Sequence, residues 1–286
     1  MAEVNAAVVV KLRKMSGQGM MDCKKALEES GGDLEKAMEL LRKKGLATLA
    51  KRADRETTEG RVVCKRSGDG KTVAMVSLCS ETDFVSRNDD FIAAAEKLGE
   101  YALACKADSG VDALTTTSLG GKPYADVLTE IVSKTGEKIE IGDFARYSLS
   151  GSGVIGSYVH FNHKVGTMVQ IETSGDAVSA AIQPLATDIA MHVTALKPIA
   201  VDKDGVDPEF LRKEREIAAE QVKGKPANMI DKIVDGKIAK FLKENCLVDQ
   251  PFVKDDTKSV AQTLSDVAKA AGGTAKIRRF VRIEIG

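Results

Sequence analysis

The chain opens with apolar residues at helical spacing. Val4, Val8, Leu12 and Met15 recur every three or four positions and stop at Ser16-Gly17-Gln18-Gly19. A second short helix is predicted over 21–29, with Asp22 near its start and Ser30-Gly31-Gly32 at its end. Asp33 is placed to cap a third helix, whose stripe is Leu34, Ala37, Met38 and Leu41 and which Gly45 is expected to stop. Three short helices within residues 1–54 predict a compact bundle. The basic and polar run 51–59 reads as a linker or an exposed helix tail.

The period then shortens to that of strands. Residues 61–66 and 71–80 are strand-like, and Ser67-Gly68-Asp69-Gly70 between them predicts a hairpin. The apolar run from Val73 to Leu78 ends in Thr82-Asp83-Phe84-Val85, and a helical pattern follows. An Ala-rich helix is expected over 91–105, with Ile92, Ala95, Leu98 and Leu103 as its stripe, and another over 124–135. Residues 55–140 thus read as one α+β subdomain. The plan repeats, with strands at 143–149, 157–161 and 167–173 and a long helix over 177–196. Strand character returns at 280–285.

Residues 207–245 break this pattern. Pro208 suits a helix start, and Phe210, Leu211, Glu214, Ile217, Ala218 and Val222 mark one helix. Gly224-Lys225-Pro226 interrupts it, and Met229, Ile230, Ile233, Val234, Ile238, Phe241 and Leu242 mark a second. An antiparallel helical hairpin inserted into a second subdomain (141–206 and 246–286) accounts for both stripes. Its outer face, rich in Lys and Glu, reads as a solvated surface or as a docking or dimerisation arm. The fold class is α+β, with antiparallel sheets.

Composition narrows the function. Lys+Arg and Asp+Glu both number 42, so no basic excess supports nucleic-acid binding. Trp is absent and aromatics make up only 4%, which also argues against base-stacking platforms. The five cysteines are widely spaced and form no C-x-x-C pair, which points to a reducing compartment. The start Met-Ala-Glu-Val-Asn lacks a basic stretch followed by an apolar core, and no run of about 18 apolar residues occurs. The expectation is a cytoplasmic protein that does not enter a membrane.

Motifs of catalysis fail on context. Gly151-Ser-Gly153-Val-Ile-Gly156 matches G-x-G-x-x-G, but strand-like Ser157-Tyr-Val-His-Phe follows where a dinucleotide site needs a helix, so a hairpin turn is expected there. Gly70-Lys71-Thr72 resembles the end of a P-loop, yet Lys65 stands where the earlier glycine belongs. His160 and His163, three apart on a strand, point to opposite faces and do not converge on a metal, so a polar turn with one functional histidine is the better reading. His192, beside Met191 and Val193 in a helix, reads as structural. No Gly-x-Ser-x-Gly elbow occurs and no cysteine has a neighbouring His and acid. Met20-Met21 at a helix start and Phe84 each fit either core or contact. For Phe84 the core alternative is a staple packed on the helix that begins near Phe91. The polar stretch Lys243-Glu-Asn-Cys-Leu247 suits an apolar contact poorly.

Leu12-Arg-Lys-Met-Ser-Gly-Gln-Gly-Met-Met-Asp-Cys-Lys-Lys-Ala-Leu27 resembles the N-terminal signature of the bacterial elongation factor Ts family, and Leu78-Cys-Ser-Glu-Thr-Asp-Phe-Val-Ser-Arg87 resembles its second signature. Ile189-Ala-Met-His-Val193 and Gln250-Pro-Phe-Val253 are similar to further family segments. The resemblance implies guanine-nucleotide exchange on elongation factor Tu, a GTPase, without covalent chemistry, cofactor or metal. It implies a ubiquitin-associated-like N-terminal bundle that docks on the GTPase's G domain, with Arg13, Met20, Met21 and Lys24 on or near that face. Within Thr82-Asp83-Phe84-Val85, it implies that Asp83 and Phe84 insert between G-domain helices close to the magnesium site. It implies His160 as a second G-domain contact and the 207–245 hairpin as a coiled-coil arm. A non-enzymatic adaptor or chaperone that uses the bundle for another partner is the alternative.

Overall fold

The computed structural model describes residues 5–222 and 227–286, so Val4 and the break Gly224-Lys225-Pro226 lie outside the described residues. The chain divides into two compact units, one of Met1–Arg146, Val159–Gly166 and Ile283–Gly286, the other of Tyr147–Tyr158 and Thr167–Arg282. The fold is mixed α+β with antiparallel sheets.

The first unit begins with helices α1 (Ala6–Ser16), α2 (Met20–Glu29) and α3 (Leu34–Lys51). Strands β1 (Glu59–Arg66) and β2 (Thr72–Ser80), a single helical turn α4 (Asp83–Ser86) and helix α5 (Asp89–Ala104) follow. Short helix α6 (Val111–Thr116), the two-residue strands β3 (Ser118–Leu119) and β4 (Lys122–Pro123), helix α7 (Tyr124–Thr135) and strand β5 (Ile139–Ser148) complete its main elements.

Side-chain caps start α1 and α3, whereas α2 begins at Gly19 without one. The Asn5 side chain accepts the Ala7 amide at 2.9 Å, and Asp33 accepts the Glu35 and Lys36 amides at 2.9 and 3.1 Å. Val9, Leu12, Cys23, Ala26, Leu27, Ala37 and Leu41 form their shared core. Gly45 does not stop α3, which continues to Lys51 and takes up the start of the expected linker. A Cβ at Gly45 would stand 2.6 Å from the Thr129 carbonyl oxygen of α7, and Ser133 of α7 donates to the Leu41 carbonyl at 3.1 Å. Gly45 is therefore a notch that lets two helices approach, and that contact offsets the roughly 1 kcal/mol propensity cost of an internal glycine.

β1 and β2 form the expected hairpin, with Val63 opposite Val76. β5 lies beside β2 and completes this sheet rather than opening the second one. β2 is therefore central and buried from Val73 onward, which explains its unbroken apolar run. On α5 the buried face is Phe91, Ala94, Ala95, Leu98, Tyr101 and Ala102, so Ile92 and Leu103 sit at the edge of the stripe, not on it. The rings of Tyr101 and Tyr124 meet edge to face at 5.2 Å, and their hydroxyls donate to the carbonyls of Lys122 and Ala94.

The second unit holds strands β6 (Gly153–Val159) and β7 (Val165–Thr173), helices α8 (Asp176–Leu196), α9 (Pro208–Glu220) and α10 (Ala227–Asn245), strands β8 (Pro251–Phe252) and β9 (Asp255–Ser259), helix α11 (Val260–Ala270) and strand β10 (Ala275–Glu284). Its sheet runs β10-β7-β6. The glycines at 151 and 153 are not a hairpin turn, because β6 pairs with β7 and not with β5. Gly156 serves packing: a Cβ there would stand 2.1 Å from the Ala186 carbonyl of α8. α8 presents Val178, Ile182, Ala186, Ile189 and Val193 to the core. α9 and α10 pack through Ala218, Val222, Val234 and Ile238, and Phe210 early in α9 meets Phe241 late in α10. Cys246 and Leu247 are fully buried, so the stretch that reads as polar supplies apolar packing at its end. Its polarity resides in Lys243, Glu244 and Asn245, which belong to the last turn of α10.

Candidate functional site

The junction after β2 is a turn held from below. Glu81 is mostly buried, and its carboxylate accepts two hydrogen bonds from Arg52 Nη1, both at 2.8 Å, and one from the Lys138 amide at 2.6 Å. Burial opposes ionisation of Glu81, but the Lys138 amide and the Arg52 guanidinium outweigh it and hold the carboxyl below its ordinary value. Thr82 is extended and caps α4, its Oγ1 facing the Val85 amide at 3.5 Å. The same hydroxyl donates to Glu137 Oε1 at 2.7 Å, and the Thr82 amide donates to Glu137 Oε2 at 3.2 Å. Ser80 Oγ donates to the Thr82 carbonyl, and Ser86 Oγ to the Asp83 carbonyl, both at 3.1 Å.

These bonds fix which side chains point where. Val85 turns inward and packs on the core of the first unit. Phe84 turns outward and is 86% exposed, which excludes the staple onto α5. Asp83 pairs with Arg87 at 3.1 Å on the surface, where screening leaves such a pair little stabilising effect.

The turn between β6 and β7 belongs to the same unit. β6 ends at Val159, so His160 and His163 lie in a turn and not on a strand. The His163 amide donates to the His160 carbonyl at 2.8 Å, with His163 in the left-handed region at φ 58°. The turn is anchored to β1: the Val62 amide donates to the His163 carbonyl at 2.7 Å, Arg61 bonds His163 Nε2 at 3.0 Å, and Lys164 pairs with Glu59 at 2.7 Å. Burial, and then the Arg61 charge, hold His163 below its ordinary pKa, so its neutral ring accepts from Arg61. His160 is half-buried, whereas Phe161 is 83% exposed with its ring centroid 4.4 Å from that of His160. A cavity of about 310 Å³ is lined by Ser86 and Arg87 from one turn and by Asn162, His163 and Lys164 from the other.

The remaining expected contacts lie on α1 and α2. Met20 is 43% and Met21 62% exposed, so neither is core. Arg13 is exposed, and Lys24 pairs with Glu28 at 3.7 Å. Sequence reasoning missed Glu81, Glu137 and Arg52, which hold the turn, and Phe161. Glu81 stood inside the quoted signature, while Glu137 and Arg52 lie far from it in the chain.

Among the described residues, no group of three or more His, Cys, Asp or Glu is placed to hold a metal, and no helix is long and apolar enough to cross a membrane. None of the five cysteines is joined in a disulfide. Burial pushes Cys79 up to about 11, so its thiol stays protonated and inert as a nucleophile at neutral pH.

A family model described as Elongation factor TS matches residues 81–286. The elongation factor Ts of a Nitratiruptor species is 43% identical over 285 residues, covering 99% of this chain and 93% of that one. That of Desulfovibrio desulfuricans is 42% identical over 291 residues, covering 100% and 99%, and that of Clostridioides difficile is 41% identical over 288 residues, covering 100% and 94%. The chain belongs to the elongation factor Ts family. It is a translation elongation factor that acts with elongation factor Tu. Two segments that resemble this family also meet in space. His192 of α8 is fully buried, its Nδ1 accepts the Val253 amide at 3.1 Å, and its Nε2 therefore carries the hydrogen shared with Gln250 Oε1 at 2.9 Å. His192 stacks on Phe252, and burial, opposed by the Gln250 bond, holds its pKa below the ordinary value.

Proposed function

We propose that this factor releases GDP from elongation factor Tu by seating Phe84 in an apolar pocket of the G domain, with Asp83 beside the magnesium site. The observation that carries the reading is a phenylalanine 86% exposed on a turn pinned by Thr82, Glu81 and Glu137. A rigid mount lowers the ordering cost of docking. Linkage supplies the mechanism: a factor that binds nucleotide-free Tu more tightly than the GDP complex weakens GDP binding by the same ratio. Burying one Phe contributes roughly 1.5–3 kcal/mol, about ten- to hundredfold in that ratio. Displacing groups around the magnesium then loosens the phosphates. No bond to the factor forms or breaks, and GTP binding ends the cycle.

In this reading α1–α3 are the ubiquitin-associated-like bundle, and Arg13, Met20, Met21 and Lys24 dock on the G domain. His160 is a further G-domain contact, and α9 with α10 is the coiled-coil arm. The reaction belongs to the cytoplasm. The test is release of a fluorescent GDP from Tu by wild type, Phe84→Ala and Asp83→Ala. If Phe84→Ala exchanges as fast as wild type, Phe84 is not the wedge.

A further inference from the structure

Two aromatic side chains stand far out from the first unit. Phe84 is 86% and Phe161 83% exposed, and the next large hydrophobic among the described residues, Met21, is 62% exposed. A single exposed apolar side chain needs no explanation, but two on turns that share a cavity do. Both turns line one cavity, the first through Ser86 and Arg87 and the second through Asn162, His163 and Lys164, with Arg61 of β1 also in its wall.

Phe161 is mounted as firmly as Phe84. β1 grips its turn through the Val62 amide and Arg61, Glu59 holds Lys164, and the Ile285 amide donates to the Lys164 carbonyl at 2.9 Å. The half-buried His160 ring lies tilted by 51° against the Phe161 ring. A held, solvent-exposed aromatic gives up little conformational freedom on docking, which is the property of an interface hot spot.

We propose that Phe161 is a second aromatic anchor on the G domain of elongation factor Tu, continuous with the surface that Phe84 presents, and that His160, besides its own contact, braces the Phe161 ring. This rests on Phe84 being a docking side chain. The bound partner then spans the cavity between the two turns, and each ring fills its own apolar pocket. Phe161 resists dissociation of the nucleotide-free complex, whereas Phe84, next to Asp83, acts on the nucleotide.

The experiment measures binding of the full chain to nucleotide-free Tu for wild type, Phe161→Ala, Phe161→Leu, His160→Ala, Phe84→Ala and the Phe84→Ala/Phe161→Ala pair, with the melting temperature of each. Phe161→Ala is expected to bind about tenfold or more weakly at an unchanged melting temperature. Phe161→Leu recovers most of that loss, and His160→Ala loses less than Phe161→Ala. If Phe161→Ala binds as wild type while Phe84→Ala weakens, the second anchor is wrong and the docking role of Phe84 stands. If neither variant weakens binding, both ideas fall together. A lowered melting temperature for Phe161→Ala would make Phe161 a structural residue and overturn the proposal.

Discussion

Removing the Glu81 carboxylate should separate the turn from its support. Glu81 accepts both Arg52 bonds and the Lys138 amide bond, and it lies just before the capping Thr82. Glu81→Ala leaves the Lys138 amide without its partner and Arg52 without its counter-ion. Arg52 is more than one-third exposed and can turn to water, so its loss is the smaller part. Leaving a buried donor unsatisfied costs about 1–3 kcal/mol, and we expect a total near 2 kcal/mol. Glu81→Gln can still accept from Lys138 and should cost about half as much. Urea unfolding, with the midpoint read at constant slope, measures both. The pH dependence supplies a sign. Glu81 is held below its ordinary value in the folded chain, so its stabilisation is present above about pH 4.5 and is lost as pH falls through the lower, folded value. The gap between wild type and Glu81→Gln should therefore narrow in acid. A Glu81→Ala loss under about 0.5 kcal/mol, below the range for an unsatisfied buried donor, or a gap that widens in acid, would refute the supporting role.

Packing and titration give two more expected outcomes. Gly45→Ala should destabilise by roughly 1–3 kcal/mol despite alanine's better helix propensity, because its Cβ meets the Thr129 carbonyl; a stabilised variant in thermal melts would contradict the notch. His192 is held below its ordinary value near 6.5, and His163 shifts the same way, so the unfolded chain takes up protons first. Stability should be full above that pH and fall as pH drops from about 6.5 toward the folded values, and His192→Asn should flatten the fall.

Local signals carried much of the fold. The helix 124–135 coincides with α7 because Pro123 precedes it and Gly136 follows it in the left-handed region. Asp33 and the Ser67–Gly70 turn were legible for the same reason: each acts on its own neighbours. Failures came where the deciding partner is remote in sequence. Gly45 looks like a stop until the Thr129 carbonyl is in view, and the glycines near 151 look like a hairpin until β5 is seen beside β2. The strand at 139–148 carries no mark of which sheet receives it.

At the site, the junction and its aromatic are legible in the residues, but Phe84 stays divided between core and contact. Only its exposure separates the two. Phe161 reads as a strand end, and the available signal was an aromatic set among His160, Asn162 and His163, a polar turn with no reason to hold a buried ring. The identity of the partner came from the long signatures, since no local pattern of charge or periodicity names a GTPase.

Whether Phe84 drives release of the nucleotide is decided by stopped-flow release of fluorescent GDP from elongation factor Tu at saturating factor, comparing wild type, Phe84→Ala and Asp83→Ala at equal melting temperature. With Phe84 as the wedge, Phe84→Ala slows release about tenfold or more. Release by Phe84→Ala at the wild-type rate would contradict that role.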